Sequence, residues 1–527
     1  MLTIERLNAN QRKAVLWDDG PLLVLAGPGS GKTAVLTLRV ARLLRADPDA
    51  QVLALTFTTK AAAEMRERVD ALMGEKVRRT HLCTFHSFAS DILRQHGSHL
   101  GLRPDFALVT QEQDRLAILE GTIAGLDDSG DDVLPTDRKS ILRLVDRLFS
   151  ESYGGTGSAP GMRHTPSWLP PLFRAYCAEL VTANRLDFGA LLHFARSVLE
   201  EKPRVRRLLA ISWSHVCVDE FQDTNKAQYD LMKLVVPDQD PNLFVVGDDD
   251  QIIYQWNGAS PERLQAIRSD YHMPVVQLPE NFRCPAEIIE LANRLIQHNS
   301  LRTADKQPLT TTRLVADDEA VIRGFAESDE YAEADRVAKD IVDREVEPAT
   351  CTVLARTARM LKIVSKALND AGVPAYVPVR KTDFEALEAR AAFSMLRLAN
   401  ARHDGEALRR ACVAWNSFSD QGIEVLDIEG AATLLGGDYF RALLDTGDGD
   451  PLAPRASQMA GLARTLLLER LDVLGFVERL LGEETDDTED DLFVGEAETW
   501  RELHDELIAR PTSNKPPEAA CQQDPSG

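Results

Sequence analysis

The sequence predicts an α/β fold in which helices flank a parallel sheet, and three observations carry this prediction. The apolar run Leu22–Leu25 leads into a glycine-rich loop and then into a segment with good helix propensity. Val52–Thr56 repeats the order of apolar run, polar turn and helical segment. A third apolar run, Val216–Val218, follows a long helical stretch and ends in two acidic residues. Repeated strand–turn–helix units are typical of a parallel sheet, because parallel strands must be joined by crossover connections.

The loop after Leu25 has the composition of a phosphate-binding loop. Its glycines allow consecutive backbone N–H groups to face one anion, and the following helix adds positive potential at its N-terminal end. Lys32 is expected to reach the outer phosphates of a nucleotide, and the Thr33 hydroxyl to hold Mg²⁺. An incidental lysine after a flexible turn is the alternative, which the flanking strand and helix disfavour. The predicted nucleotide-binding residues of the loop are Ala26 (where glycine is usual), Gly27, Pro28, Gly29, Ser30, Gly31, Lys32 and Thr33.

Composition and charge limit the class of protein. The chain has 527 residues, enough for about three or four domains, and 44% of them are hydrophobic. Its net charge of −23 excludes a uniformly basic surface, so any contact with nucleic acid must be a local groove. No apolar run is long enough to span a membrane and the N-terminus does not resemble a signal peptide, so we expect a cytoplasmic protein. The seven cysteines are scattered singly, which favours neither a disulfide framework nor a metal cluster.

Polar residues follow the next predicted strands. Asp219 is expected to hold Mg²⁺ through water, and Glu220 to orient and deprotonate an attacking water. Acidic residues also close strands without any such role, but the phosphate-binding loop favours the functional interpretation. Gln251 follows the strand Leu243–Gly247 and could sense a γ-phosphate. Gln11 could bind an adenine edge, although by itself it is interpreted as a surface residue.

Aromatic residues near the same strand ends are candidates for contact with nucleic acid. Trp256 lies between polar Gln255 and Asn257, which indicates exposure and a surface on which a base could stack. Most tryptophans are core residues, so packing is the alternative. Taken singly, Phe57 and His86 are also interpreted as packing residues.

In combination, these segments resemble the motifs of the UvrD/Rep-like superfamily 1 DNA helicases. Six motifs occur in the family's order, and the resemblance extends from Leu7 to about Asp420. It implies two RecA-like domains that hold ATP between them, each with an inserted subdomain, and movement 3′ to 5′ along single-stranded DNA with separation of the duplex ahead. After the phosphate-binding loop, the matching segments are Thr56–Ala62, Thr84–Phe88, Val218–Thr224, Val246–Ala259 and Asn281–Arg283.

The resemblance also implies a set of site residues. The catalytic residues would be Glu220, Lys32, Gln251 and Arg283, and the nucleotide-binding set would include Gln11 and Arg283. Those that contact DNA would be Phe57, His86, Tyr254, Trp256 and Arg356. The cofactors would be ATP and Mg²⁺, and the partners single-stranded DNA and junctions of single- and double-stranded DNA. Five positions depart from the family's usual residues, and two of these lack a usual arginine: Ala34, Thr59, Ile252, Asn257 and Phe282.

The resemblance divides the chain into domains. Residues 1–100 and 185–278 would form the first RecA-like domain, interrupted by a helical insertion at 101–184. Residues 279–400 would form part of the second RecA-like domain, in which Cys351–Thr357 is predicted to be a strand. Residues 401–510 would be part of a second helical insertion, including an acidic loop at 483–491. Residues 511–527 are rich in Pro, Gln and Ser and are predicted to be a disordered tail.

Two of the family's motifs are not found after Asp420, namely a T-x-H-x-x-K-G stretch and a V-x-x-T-R-A stretch. We therefore expect a helicase whose second RecA-like domain is incomplete, and slow ATP hydrolysis by these residues alone. One alternative is a nucleotide-gated subunit that binds single-stranded DNA without unwinding, completed by a partner subunit. A helicase–nuclease is disfavoured, because no nuclease cluster is recognisable.

Overall fold

The computed structural model describes residues 4–447 apart from 75, 127–133, 238, 300, 304, 314–320, 345, 376, 378–393, 396–397, 400–401 and 417–421. The chain divides into two compact units, Met1–Arg323 and Gly324–Gly527. The predicted acidic loop at 483–491 and the predicted tail at 511–527 lie outside the described residues. No helix within the described ranges is long and apolar enough to cross a membrane.

The first unit contains a six-stranded parallel sheet, which confirms the predicted α/β fold. In chain order the strands of the unit are β1 Leu22–Ala26, β2 Val52–Thr56, β3 Thr80–Thr84, β4 Ala107–Leu108, β5 Arg185–Leu186, β6 His215–Val218, β7 Leu243–Gly247, β8 Val275–Leu278, β9 Glu280–Asn281 and β10 Thr310–Thr311. The order in the large sheet is β3-β2-β6-β7-β1-β8. Every residue of β1, β2 and β7 is buried, because helices cover both faces of the sheet.

Helices join these strands and form the two outer layers. Leu23 and Leu25 face one hydrophobic core, whereas Leu22 and Val24 face the other, as alternation along a strand requires. The helices of the first unit are α1 Ala9–Val15, α2 Lys32–Ala46, α3 Thr59–Met73, α4 Phe85–His96, α5 Glu112–Ala124, α6 Arg138–Ser150, α7 Leu169–Thr182, α8 Phe188–Glu201, α9 Pro203–Ser212, α10 Lys226–Val235, α11 Glu262–Asp270 and α12 Ala286–Ile296.

The stretch from 101 to 184 is mainly helical, but it also contains one short strand. β4 pairs in parallel with β5, with Ala107 opposite Arg185. A buried polar network joins this stretch to the start of α8: Asp187 accepts from Arg115 Nε at 3.1 Å and from the Tyr176 hydroxyl at 3.0 Å. The network fixes the start of α8, which lies beside one edge of the candidate site.

In the described residues of the second unit, the regular secondary structure is helical. Their helices are α13 Glu330–Asp343 and α14 Ala358–Asp370, followed by Gly405–Asn416, Val425–Thr433 and Tyr439–Gly447. The predicted strand at Cys351–Thr357 is wrong, because none of these residues belongs to a strand. A strand requires a hydrogen-bonded neighbour, whereas Val353 packs on a cluster that includes Ala338 and Leu368 of the two helices. The predicted domain boundaries remain predictions.

Candidate nucleotide and DNA site

The carboxyl ends of the parallel strands meet at one edge of the sheet, and the candidate site lies there. β1 ends at the phosphate-binding loop, β6 at the acidic pair and β7 at the segment that carries Gln251. β2 and β3, which pair through Thr56 and Thr84, end beside Phe57 and His86. A single edge therefore carries the candidate nucleotide-binding and DNA-binding residues of the first unit.

The phosphate-binding loop has the backbone geometry that its glycines predict. Gly29 and Gly31 have φ values of +66° and +84°, in the left-handed region that favours glycine. Gly31 is the N-cap of α2 and offers no side chain to the first-turn N–H groups. The Ser30 hydroxyl donates to Gly27 O at 2.7 Å and closes the loop. The N-terminal end of α2 is therefore open to an anion.

Residues from after β8 press on this loop. A Cβ atom on Gly29 would lie 2.8 Å from Cβ of Arg283, and one on Gly27 would clash with the Leu309 side chain. Asn281 Nδ2 donates to Pro28 O at 2.5 Å, and Phe282 N donates to Gly29 O at 2.9 Å. The structure thus places Arg283, with an exposed side chain, beside the loop. Its bond to Pro28 O makes Asn281 part of the site, whereas the sequence indicated no individual role for it.

Gln11 is buried, with 5% of its surface exposed, so its interpretation as a surface residue is wrong. Its Nε2 donates to Ser30 O at 2.9 Å, and its Oε1 accepts from Asn8 N at 3.1 Å in a capping box at the start of α1. Burial of this amide is tolerated because its donor and its acceptor both have hydrogen-bond partners. Through this bond to Ser30 O, Gln11 holds the phosphate-binding loop in place. Its predicted contact with adenine remains a prediction.

Three predicted catalytic side chains converge beneath the loop. Lys32 Nζ lies 2.9 Å from Glu220 Oε2 and donates to Gln251 Oε1 at 3.5 Å. Glu220 has φ +46° and ψ +45°, a left-handed conformation that is uncommon outside glycine and turns its side chain toward the loop. Gln222 Nε2 donates to Glu220 Oε2 at 2.7 Å and fixes the carboxylate. The Lys32 side chain is 9% exposed and that of Glu220 is 34% exposed, so the pair is buried at the lysine and partly open to solvent at the carboxylate.

Two carboxyl groups next to Glu220 have raised pKa values. Burial, followed by repulsion from Glu220, raises the pKa of Asp219 to about 7, although Lys32 opposes this shift. The same two causes raise the pKa of Asp223 to about 6. A cation bound beside these groups would lower both pKa values, because it stabilises the ionised carboxylates.

The residues present fit a magnesium nucleotide. Thr33 would hold Mg²⁺ through its hydroxyl and Asp219 would hold it through water, as oxygen-bearing residues do in P-loop nucleotide hydrolases. Within the described ranges, Asp223 Oδ1 and Thr56 Oγ1 are buried and have no hydrogen-bond partner. Buried polar atoms are normally paired, so these two atoms are available for the water shell of a bound ion.

An aromatic surface lies beside the nucleotide site. The ring centroids of Phe57 and Tyr254 are 4.9 Å apart, and those of Tyr254 and Trp256 are 6.0 Å apart. Trp256 is 81% exposed, which confirms the exposure predicted from its polar neighbours. Because a large exposed aromatic ring beside others is a stacking platform, these three rings are suited to binding unpaired bases.

His86 extends this set on the neighbouring strand end. Its ring meets Phe188 edge to face at 5.5 Å, and burial lowers the pKa of the imidazole to about 4. Phe188 is half exposed and was missed by sequence reasoning, although an aromatic residue directly after the helix-capping Asp187 was a signal for it. Arg356 is exposed and belongs to the second unit.

Lys306 is a second residue that sequence reasoning missed. Its ammonium group contacts the carboxylates of three consecutive residues, Asp248, Asp249 and Asp250, next to Gln251. No motif marks Lys306. The run of three acidic residues at a strand end was the available signal, because buried carboxylates require a cation.

The fold and site define a class: this is a P-loop nucleotide-binding protein built on a parallel sheet. Residues 7–272 match the model of the UvrD/REP helicase N-terminal domain, and residues 276–444 match that of the UvrD-like helicase C-terminal domain. The chain belongs to the UvrD/REP helicase family. Domains of this family are RecA-like, in agreement with the predicted fold class.

Curated relatives carry helicase names. The chain is 32% identical over 436 residues to DNA helicase II of Haemophilus influenzae, which covers 80% of this chain and 58% of the relative. It is 34% identical over 430 residues to the ATP-dependent DNA helicase UvrD1 of Mycobacterium tuberculosis (77% and 54%). It is 30% identical over 426 residues to the ATP-dependent DNA helicase PcrA of Staphylococcus epidermidis (77% and 55%). The chain therefore spans little more than half the length of these relatives.

Proposed function

We propose that this chain binds Mg-ATP and single-stranded DNA and acts as an ATP-dependent DNA helicase. It would move 3′ to 5′ along single-stranded DNA and act in DNA repair or replication restart. The observation that carries the proposal is the contact of Lys32 with Glu220 and Gln251 beneath the phosphate-binding loop. The aromatic surface lies at the same sheet edge, so the ends of the same strands position both the nucleotide-binding and the proposed DNA-binding side chains.

The side chains beneath the loop have distinct roles in this proposal. Lys32 leaves Glu220 when a triphosphate provides a stronger anionic partner, and its ammonium then neutralises the outer phosphates. Glu220, freed from Lys32 but still held by Gln222, accepts a proton from the attacking water. Bound Mg²⁺ would neutralise charge on the phosphate oxygens. Gln251 already reaches Lys32, and it would contact the γ-phosphate from the same position.

Two assays test this function. The first measures the affinity for a single-stranded oligonucleotide with and without an ATP analogue. The second follows unwinding of duplexes that carry either a 3′ or a 5′ single-stranded tail. ATP-dependent unwinding of the 3′-tailed duplex alone supports the proposal. Nucleotide-dependent binding without unwinding would instead support a nucleotide-gated DNA-binding protein, and failure to bind nucleotide would contradict both functions.

Trp256→Ala should weaken binding of single-stranded DNA by about five- to a hundredfold, because each base–aromatic stack contributes roughly 1–3 kcal/mol. Affinity should also fall steeply with salt, since phosphate contacts release counterions. The measurement is fluorescence anisotropy with a labelled oligonucleotide. Ile211→Ala removes another exposed apolar side chain, 73% exposed on α9, and should leave affinity unchanged. Wild-type affinity in Trp256→Ala would remove Trp256 from the DNA surface.

His86 should contribute to DNA binding as a neutral ring. Because its pKa is about 4, the imidazole is uncharged at neutral pH and cannot form an ion pair with phosphate. His86→Phe should therefore retain affinity within about twofold, whereas His86→Ala should lose about fivefold or more. Affinities measured at about pH 6 and pH 8 should show the same His86→Ala loss. A loss that grows as the pH falls would mean that the charged imidazole binds DNA.

A further inference from the structure

Lys306 lies in a tight cage of carboxylates that is continuous with the nucleotide site. Its Nζ lies 2.6 Å from Asp249 Oδ1 and 2.7 Å from Asp250 Oδ2, and it also contacts Asp248 Oδ1. The Lys306 side chain is 6% exposed, and those of Asp248 and Asp249 are 1% and 2% exposed. Burial alone would lower the pKa of Lys306, but the three carboxylates raise it above its ordinary value. The lysine is therefore a charged, buried counterion.

The cage leads directly to Gln251. Gln251 Nε2 donates to the second oxygen of Asp248, while Gln251 Oε1 accepts from Lys32. Asp248 is held on its other sides as well: its Oδ1 accepts from Asp250 N, and its N–H donates to Gln222 Oε1 at 2.9 Å. A continuous chain of polar contacts thus extends from Lys306 through Asp248 and Gln251 to the lysine of the phosphate-binding loop.

The segment that carries Lys306 is anchored independently of the cage. Gln277 Nε2 donates to Asp305 O at 2.8 Å, and Gln307 N donates to Gln277 Oε1 at 2.8 Å. Leu309 exchanges two hydrogen bonds with Asn293, at 2.9 and 3.0 Å. The backbone on either side of Lys306 is therefore held in place by hydrogen bonds that do not involve the carboxylates.

The three carboxylates also have the spacing of a cation site, since their oxygen atoms lie within 4.8 Å of one another. The Lys306 ammonium already contacts all three of them, and Arg302 Nε lies 3.2 Å from Asp250 Oδ2. These cations supply the positive charge that a metal would supply. The three carboxylates therefore already have counterions from the protein, and the Lys306 ammonium holds them together.

We propose that Lys306 is a positioning residue that, through Asp248, holds Gln251 where it distinguishes a nucleoside triphosphate from a diphosphate. The inference rests on the proposed function, because it requires that Gln251 senses the γ-phosphate. Without the ammonium, three adjacent carboxylates repel one another and the turn that carries Gln251 loses its counterion. Lys306 lies in the segment matched by the C-terminal family model, whereas Gln251 lies in the N-terminal one. The lysine therefore connects the nucleotide sensor to the start of the second family domain.

The experiment is a double-mutant cycle on nucleotide preference. The quantity measured is the dissociation constant for ADP divided by that for a non-hydrolysable ATP analogue, obtained with fluorescent nucleotides on the full chain. Lys306→Met should lower this ratio about tenfold, the expected effect of losing a charge-assisted hydrogen-bond network. Gln251→Ala should lower it at least as much. The double variant should match Gln251→Ala alone, because two residues that act in series are not additive.

Two further variants separate positioning from general loss of stability. Arg302→Met removes a cation that contacts the same cluster only at Asp250, and should change the ratio by less than about twofold. Asp248→Asn should lower it as Lys306→Met does, because Asp248 uses one oxygen for Lys306 and the other for Gln251, and an amide has only one acceptor oxygen. This second variant keeps the test valid if Lys306→Met does not fold, which thermal unfolding will reveal.

Each outcome separates the inference from the proposed function. If the wild-type chain binds no nucleotide, the proposed function fails before Lys306 is tested. If Gln251→Ala lowers the ratio and both Lys306→Met and Asp248→Asn leave it unchanged, only the positioning role is overturned. Additive losses in the double variant would also overturn it, because Lys306 would then act on the nucleotide by another route. An unchanged ratio in Gln251→Ala would overturn the sensor and, with it, the inference.

Discussion

Glu220→Gln is expected to lower DNA-stimulated ATP hydrolysis by about 10²–10⁴-fold, the range over which a positioned general base contributes to catalysis. The substitution removes the ability to accept a proton but keeps the size and shape of the side chain. Gln222 can still contact the new amide, because an amide oxygen accepts the same hydrogen bond. Nucleotide affinity should therefore be retained while turnover is lost.

The left-handed backbone at Glu220 is unaffected by this change. Its φ of +46° arises at the junction between β6 and the short 3₁₀ turn at Phe221–Asp223. Glutamine has the same branching as glutamate at Cβ, so the strain in this conformation is equal in both proteins. A difference in activity between them thus reports on proton transfer.

The measurement is single-turnover hydrolysis of labelled ATP with protein and oligonucleotide in excess, which detects even slow chemistry. Glu200→Gln is the matched control, because the Glu200 side chain is 49% exposed and pairs with Arg196 within α8, at 3.6 Å. It should hydrolyse ATP at the wild-type rate. Equal rates in wild type and Glu220→Gln would exclude Glu220 as the general base and leave Asp223 as a candidate, because Lys32 acts on its carboxyl group as well.

The parallel sheet and the phosphate-binding loop could be predicted because their signals are local. A strand, a glycine turn and a helix start occupy neighbouring positions, as in Leu22–Ala26 followed by Gly31 and Lys32. The convergence of Glu220 and Gln251 on Lys32 was predictable in outline, since the carboxyl ends of parallel strands share an edge. These features need no knowledge of which distant residues touch.

The features that the sequence did not reveal depend on contacts between distant parts of the chain. Lys306 contacts Asp248 across 58 positions, and no pattern around the lysine signals this. Gln11 looks like a surface residue until Ser30 O is placed above its amide. The wrong strand at Cys351–Thr357 has a related cause: Val353 and Leu354 favour a strand, but a strand forms only where a neighbour pairs with it. Val353 instead packs against helices, and Leu354 is 89% exposed.

Lys32→Ala is expected to weaken binding of an ATP analogue by roughly 30-fold or more, the effect of removing one member of a buried charge pair. The physical reason is that Lys32 supplies the positive charge closest to where the outer phosphates would lie, and it is held there by Glu220 and Gln251. Binding of single-stranded DNA without nucleotide should be little changed, because the aromatic surface does not include Lys32.

The stability of Lys32→Ala should remain close to that of the wild type. Removal of the ammonium leaves Asp219 and Glu220 without their cation, which would be costly if both stayed ionised. Asp219 avoids this cost: its pKa is already about 7, and Lys32 is one of the influences that lower it. In the variant Asp219 therefore takes up a proton near neutral pH, which removes a buried charge.

Calorimetric titration with the analogue and a thermal unfolding scan test both parts of this expectation. Lys233→Ala is the control, because Lys233 pairs with Asp270 at 2.5 Å in the last turn of α10 and is 38% exposed. It should bind nucleotide as the wild type does. Unchanged affinity in Lys32→Ala would contradict the assignment of the phosphate-binding loop. A large fall in melting temperature in Lys32→Ala alone would show that the ion pair with Glu220 supports the fold, and that the raised pKa of Asp219 does not absorb the lost charge.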